Sequence, residues 1–186
     1  MFFISLPLFL TIFRLILSPI IIPYLIVCTS YNQNFYSNGI VALIFLFFGL
    51  TDFLDGFLAR KYQQVTKLGG ALDHLADKFL IFSSLVALVA VQKLEIFWAI
   101  ALIAREFFML GLRQIALEQN VSIQVSDFGK LKTCLHIATV AFLIAMPVQE
   151  SLFFLITKNL LLVLSLLFSW GSAFDYSIKF LQKIKN

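Results

Sequence analysis

The chain keeps returning to runs of about twenty apolar residues, the length that carries one α-helix across a hydrocarbon core. Six stretches have this character: 7–28, 39–61, 70–92, 96–118, 130–147 and 151–175. The breaks between them carry turn chemistry: "TSYNQNFYSNG", "KYQQVTKLG", "QKLE", "QNVSIQVSDFG" and "MPVQE". In lipid, a spanning segment must satisfy its own backbone groups, so these runs read as helices rather than strands. Charge supports the same reading. Only 13% of the 186 residues are charged and 61% are hydrophobic, whereas a soluble domain is about one-quarter charged. The expectation is an all-α integral membrane protein, a six-transmembrane-helix bundle forming a single domain over 1–186.

The first 28 residues could be mistaken for a signal peptide, but the run is long and ends "LIVC". It lacks the small residues a cleavage site needs, so a retained helix is expected. Lysine and arginine orient the bundle. Arg60, Lys61 and Lys67 flank the loop after the second stretch, Lys130 and Lys132 follow the fourth, and Lys179, Lys183 and Lys185 crowd the C-terminus. The opposite loops offer essentially Lys93. Both termini are therefore expected to be cytoplasmic. The basic tail 176–186 is expected to lie at the lipid surface. Trp98 and Trp170 are expected to be interface anchors near helix ends. The net charge of +4 is scattered among apolar segments, which suits anionic lipid and gives no nucleic-acid footprint. Cys28 and Cys134 show no ligand spacing and are expected to be buried membrane cysteines.

Acids inside such segments are costly and usually functional. Asp52 and Asp55 are spaced i, i+3 at the end of the second stretch. Asp73 and Asp77 are spaced i, i+4 at the start of the third. Each pair shares one helix face. A short loop joins the two helices, so both pairs come to one membrane depth. Four carboxylates together repel unless a cation is present. Their hard oxygens suit Mg²⁺ or Mn²⁺ rather than zinc. Gly56 and Ala59 continue the Asp52–Asp55 stripe and leave room for a bulky ligand. Gly69 and Gly70 do so at the mouth of the third helix, whose N-terminus favours anions. Arg60 brings positive charge suited to a phosphate. Ion pairs with Arg60, Lys61 and Lys78 would explain one such acid, but four acids with small residues on the same stripe ask for more.

The segment reads D-x2-D-G-x2-A-R-x8-G-x3-D-x3-D, through Asp52, Asp55, Gly56, Ala59, Arg60, Gly69, Asp73 and Asp77. It resembles the signature of the CDP-alcohol phosphatidyltransferase family at every fixed position. "PLFLTIFRLILSP", "IAREFFMLGLRQIA" and "VSDFGKLKT" resemble the branch whose acceptor is glycerol 3-phosphate, and the likeness spans roughly residues 5–140. Two positions depart from that branch. His74 stands where proline is common, and Leu8 or Ser5 where asparagine is common. Neither change removes a carboxylate.

The resemblance implies a six-helix membrane enzyme that transfers a phosphatidyl group from CDP-diacylglycerol to an alcohol. Two Mg²⁺ or Mn²⁺ would be held by Asp52, Asp55, Asp73 and Asp77. Asp77 would be the general base, with Asp73 also catalytic. Asp55, Gly56, Ala59, Arg60, Gly69 and Thr11 would line the CDP site. A homodimer is implied too, and a bacterial inner membrane with the site at its cytoplasmic face. Because that acceptor carries a phosphate, a second anion site is needed. Arg105, Arg113, Lys130 and Lys132 are the candidates, with Glu106 a possible partner of Arg113. Thr11 and Arg14 could equally be a helix-bonded hydroxyl and a snorkelling arginine. His74 and His136 read as structural. Other acceptors remain open: phosphatidylglycerol, inositol phosphate or serine. A divalent-cation channel is disfavoured, because no acids continue the path to the far side. A non-catalytic lipid-binding scaffold does not account for the four aspartates.

Overall fold

The computed structural model describes the backbone of residues 6–31, 35–61, 67–119, 127–147 and 151–185. Among these, the side chains of 6–14, 51–61, 67–74, 76, 77, 127–130 and 185 lie outside the described set. The described chain forms six helices: α1 Leu6–Tyr31, α2 Phe35–Lys61, α3 Lys67–Ala90, α4 Ile96–Glu118, α5 Asp127–Ala145 and α6 Leu152–Lys185. All six expected segments are present as helices.

Their ends differ from the hydropathy boundaries in instructive ways. α2 begins at Phe35 rather than 39 and takes in Asn38, which is buried and donates through Nδ2 to the Met146 carbonyl at 3.4 Å. A polar residue that hydropathy assigns to a loop is thus a buried helix residue. α6 does not stop at 175. It continues as one helix of 34 residues through Lys185, so the basic tail to that point is part of the helix. At 1.5 Å per residue it is about 51 Å long, well beyond a hydrocarbon core of about 30 Å. An i, i+4 ion pair helps carry it onward, with Lys179 Nζ 2.7 Å from Asp175 Oδ2.

Among the described residues, one helical stretch, Leu152–Ile184, is long and apolar enough to cross a membrane by length and composition. Shorter apolar stretches cover Leu15–Tyr31, Phe35–Leu50, Lys78–Ala90 and Leu131–Ala145. Large apolar side chains stand exposed along much of α6, from Leu152, Phe153 and Ile156 through Leu160 and Leu167 to Phe174, Ile178 and Leu181. An apolar face of that extent is what a lipid-facing helix presents.

The chain divides into two compact units. One comprises Met1–Leu94 with Val140–Glu150, the other Glu95–Thr139 with Ser151–Asn186. In the first unit, α1 packs mainly on α3, and also on α2, while α2 meets α3. Its core includes Ile22, Ile26, Phe45, Leu80, Leu85, Leu88, Leu143 and Ile144. α1 accommodates Pro19 and Pro23 within a continuous helix, as apolar bundles permit when neighbouring groups satisfy the freed carbonyls. In the second unit, α4 packs on α6. The buried side of α6 runs Leu162, Ser165, Ser169, Ser172, Ala173, small residues that let helices approach closely. Phe108 of α4 meets Trp170 at 6.2 Å between ring centroids, and Trp170 meets Phe174 at 6.1 Å. Trp170 thus lies mid-helix, not near a helix end, and packs against Phe108 and Phe174. Trp98 does occupy the first turn of α4. Cys28 is half-buried and Cys134 exposed, so burial holds for neither as fully as expected.

Lys93 illustrates how local geometry decides a charge's fate. α3 ends in a paired C-terminal motif: Gln92 N–H donates to the Val89 carbonyl at 3.1 Å and Lys93 N–H to the Leu88 carbonyl at 3.0 Å. Gln92 takes the required left-handed conformation, with φ 59°. The reversal folds Lys93 inward, leaving it 2% exposed, with Nζ donating to the Ile144 carbonyl at 2.9 Å. That carbonyl belongs to the last turn of α5, where no intrahelical N–H is available. Pro147 prevents the helix from continuing. A cation at a helix C-terminus is favourable, yet desolvation outweighs it and lowers the Lys93 pKa to about 8. Between about 8 and the ordinary lysine value, the unfolded chain binds a proton that the folded chain does not, so this residue's contribution to stability rises with pH across that window. Below about 8 the charged form is carried in both states and its burial cost is fully present. The melting temperature of the wild type minus that of Lys93→Met should therefore increase from pH 7.5 to about 10. A flat difference would refute the shifted titration.

Candidate active site

The sequence-predicted site residues divide between the two units. Asp52, Asp55, Gly56, Ala59 and Arg60 lie on α2, Gly69, Asp73 and Asp77 on α3, and Thr11 on α1, all in the first unit. Their backbones are helical, while their side chains lie outside the described residues. Continuous helix across both motif halves preserves the spacing argument. Spacings of three residues in α2 and four in α3 put each pair of aspartate positions on one helix face. Because α2 also meets α3, the two helices that carry the motif are packed neighbours. No cluster of three or more His, Cys, Asp or Glu is found among the described residues, a set that does not include these four aspartate side chains.

Arg105, Arg113, Lys130 and Lys132 belong to the second unit. Arg113 is half-buried, and the Lys130 side chain lies outside the described residues. Arg105 and Lys132 are brought together, and the residue that joins them is Glu106. Their exposures are 3% for Arg105, 6% for Glu106 and 8% for Lys132. Lysine, arginine and glutamate are almost never buried to that degree unless paired. Arg105 lies nine residues into α4, about 14 Å along its axis, so its guanidinium is far from either helix end.

Three nitrogens of Arg105 have partners. Nε donates to the Ser169 carbonyl at 2.7 Å, Nη1 donates to Glu106 Oε1 at 2.5 Å, and Nη2 donates to Ser172 Oγ. Ser172 Oγ in turn donates to the Ser169 carbonyl at 2.9 Å. Lys132 Nζ donates to the same Glu106 Oε1, tying α5 to α4. One carboxylate oxygen thus serves two cations from two helices. The guanidinium's rigid planar fork spreads its donors over a carboxylate, a helix carbonyl and a hydroxyl at once, whereas an ammonium concentrates its donors on one nitrogen.

Arg113, one face-repeat along α4, is the partner the sequence suggests for Glu106, and the described contacts of Oε1 run to Arg105 and Lys132. Ser169 and Ser172 are not among the residues the sequence singles out. A signal for Glu106 was present in "IAREFF", where an acid follows an arginine inside an apolar helix. No comparable signal marks the two serines, whose contact with α4 depends on helix packing. His136, one turn beyond Lys132 on α5, is buried, as a structural histidine would be.

Comparison with known proteins bears directly on this arrangement. The profile of the CDP-alcohol phosphatidyltransferase family matches residues 4–171. Over 140 residues the chain is 36% identical to the CDP-diacylglycerol–glycerol-3-phosphate 3-phosphatidyltransferase of Rickettsia felis, covering 75% of each chain. Against the protein of the same name from Haemophilus influenzae it is 42% identical over 135 residues, 69% of each chain. Against that of Yersinia enterocolitica it is 35% identical over 149 residues, covering 77% of this chain and 78% of the relative. The matched region takes in both halves of the aspartate motif and the buried Arg105–Glu106–Lys132 group, and the chain belongs to the CDP-alcohol phosphatidyltransferase family.

Proposed function

We propose that this enzyme transfers the phosphatidyl group of CDP-diacylglycerol to glycerol 3-phosphate, giving phosphatidylglycerol phosphate and CMP. The observation that carries the reading is the complete eight-position motif on α2 and α3, within a chain resembling relatives named for this reaction over about three-quarters of its length. The substrates assigned here are those named for the relatives. A six-span bundle with both termini cytoplasmic, in a bacterial inner membrane and paired as a homodimer, is part of the same proposal.

The donor set fits two divalent cations, Mg²⁺ or Mn²⁺. Asp52, Asp55, Asp73 and Asp77 supply hard carboxylate oxygens and no imidazole or thiolate. When bound, such cations supply neutralisation of the diphosphate charge that builds as the phosphoanhydride opens. The rest is done by the chain. Gly56 and Ala59 leave space for the nucleotide, with Asp55, Gly69 and Thr11 beside it. Arg60 holds a phosphate oxygen by charge-assisted hydrogen bonds. The acceptor hydroxyl oxygen attacks the phosphorus bearing diacylglycerol. A new P–O bond forms there as the bond to CMP breaks, and the hydroxyl proton passes to Asp77. Asp73 orients the reacting groups. Arg105, Arg113, Lys130 and Lys132 are the basic set from which the acceptor's phosphate draws its partners.

An acceptor panel tests the reading. Purified protein given CDP-diacylglycerol and Mg²⁺ should release CMP with glycerol 3-phosphate, and not with serine, inositol phosphate or phosphatidylglycerol. Release of CMP with one of these and none with glycerol 3-phosphate would reassign the acceptor.

A further inference from the structure

The group formed by Arg105, Glu106 and Lys132 has an uneven arrangement that the reaction itself does not require. A site built only to attract a phosphate would gain nothing from a carboxylate against its lysine. Glu106 lowers the local positive potential and competes for the same ammonium. Its placement makes sense if Lys132 must be held still. A lysine side chain is a flexible four-carbon stem ending in a strongly hydrated point charge. Buried to 8% exposure, it needs a fixed acceptor to keep both its charge and its location.

Arg105 answers a different need. Its Nε and Nη2 are committed to α6, through the Ser169 carbonyl and Ser172 Oγ, and its Nη1 is committed to Glu106. It anchors the carboxylate to α6 from one side while Lys132 takes the same oxygen from the other. The order of contacts is therefore α6, Arg105, Glu106, Lys132. We propose that Glu106 is a positioning residue of the acceptor site, holding the Lys132 ammonium in place for the acceptor's phosphate without itself contacting substrate. The inference rests on the proposed role of Lys132, and it separates that residue from Arg105, whose work is anchoring.

The test uses full-length protein in detergent–lipid micelles, with kinetics measured separately for each substrate. Glu106→Gln keeps an acceptor oxygen but removes the charge. It should raise the KM for glycerol 3-phosphate by about tenfold or more, the usual scale for losing a residue that orients a ligand-binding group. The KM for CDP-diacylglycerol should stay within about twofold of the wild type. Glu106→Asp, which restores the charge on a shorter stem, should recover part of the acceptor KM. Ser172→Ala removes one of the two bonds from Arg105 to α6 and leaves the bonds of Nε and Nη1 in place, so it should lower the melting temperature while raising the acceptor KM clearly less than Glu106→Gln does. Equal rises in both KM values for Glu106→Gln, or an acceptor KM raised as much by Ser172→Ala, would overturn the proposal in favour of general loosening. If Glu106→Gln does not yield folded protein, an unchanged acceptor KM in Glu106→Asp overturns it. Wild-type protein that releases no CMP with glycerol 3-phosphate would instead overturn the assigned reaction.

Discussion

Asp77→Asn should cut CMP release by about 10²- to 10⁴-fold, the range general acid–base catalysis contributes. The amide matches the carboxylate in size, so the effect isolates charge and basicity from packing. An amide neither accepts a proton at neutral pH nor offers a charged oxygen to a divalent cation. The loss should appear in kcat more than in either KM, since an interaction made chiefly in the transition state is removed. Excess Mg²⁺ or Mn²⁺ should restore little if Asp77 takes the proton. Substantial recovery with metal would make Asp77 a ligand alone and move the proton elsewhere. Wild-type activity in Asp77→Asn would remove the residue from the mechanism altogether.

The second large effect is on stability. Arg105→Leu should destabilise the protein by about 3–5 kcal/mol, the cost of breaking a buried ion pair from one side. That is a fall in melting temperature of about 10 °C for a chain this size. Leucine fills much of the arginine stem's volume, so cavity formation is not the main cause. The cost comes from Glu106, left with a weakened partner set inside α4, and from the Ser169 carbonyl, which loses its Arg105 donor. Isolated interhelical hydrogen bonds in membranes average nearer 0.6 kcal/mol, so the size of the loss discriminates. A drop of under about 1 kcal/mol would mean the group behaves as ordinary polar contacts rather than a buried charge cluster. Adding Glu106→Leu to Arg105→Leu should recover part of the loss, because replacing a whole buried pair by apolar residues is often neutral or stabilising.

The aspartate motif and the buried charge group differ in how far the sequence discloses them. Asp52, Asp55, Asp73 and Asp77 are legible because their meaning lies in helical spacing within 26 residues. Backbone periodicity alone puts each pair on one face, and α2 and α3 are helical where that argument needs them to be. The Arg105–Glu106–Lys132 group depends on residues 26 apart and on serines more than 60 positions downstream. No local rule predicts which helix faces meet, so the individual charges were visible but their pairing was not. The ends of α2 and α6 fail for a related reason. Hydropathy detects where apolar residues stop, which is a property of the bilayer. A helix ends where its backbone loses partners, and neither Asn38 nor Asp175–Lys179 forces that. Lys93 is the sharpest case. Counted by sequence it is a loop charge, while the turn at Gln92 and the open carbonyls of α5 make it an interior one.

The ring contacts of Trp170 with Phe108 and Phe174 have a consequence for how this protein can be followed in solution. The chain holds just two tryptophans. Trp98→Phe would leave a single indole at the seam between α4 and α6, one residue from Ser169, whose carbonyl receives Arg105. Its emission then becomes an intrinsic optical gauge of whether that seam is closed. Loosening of the anchor would be readable as a spectral change, with no label and no substrate added.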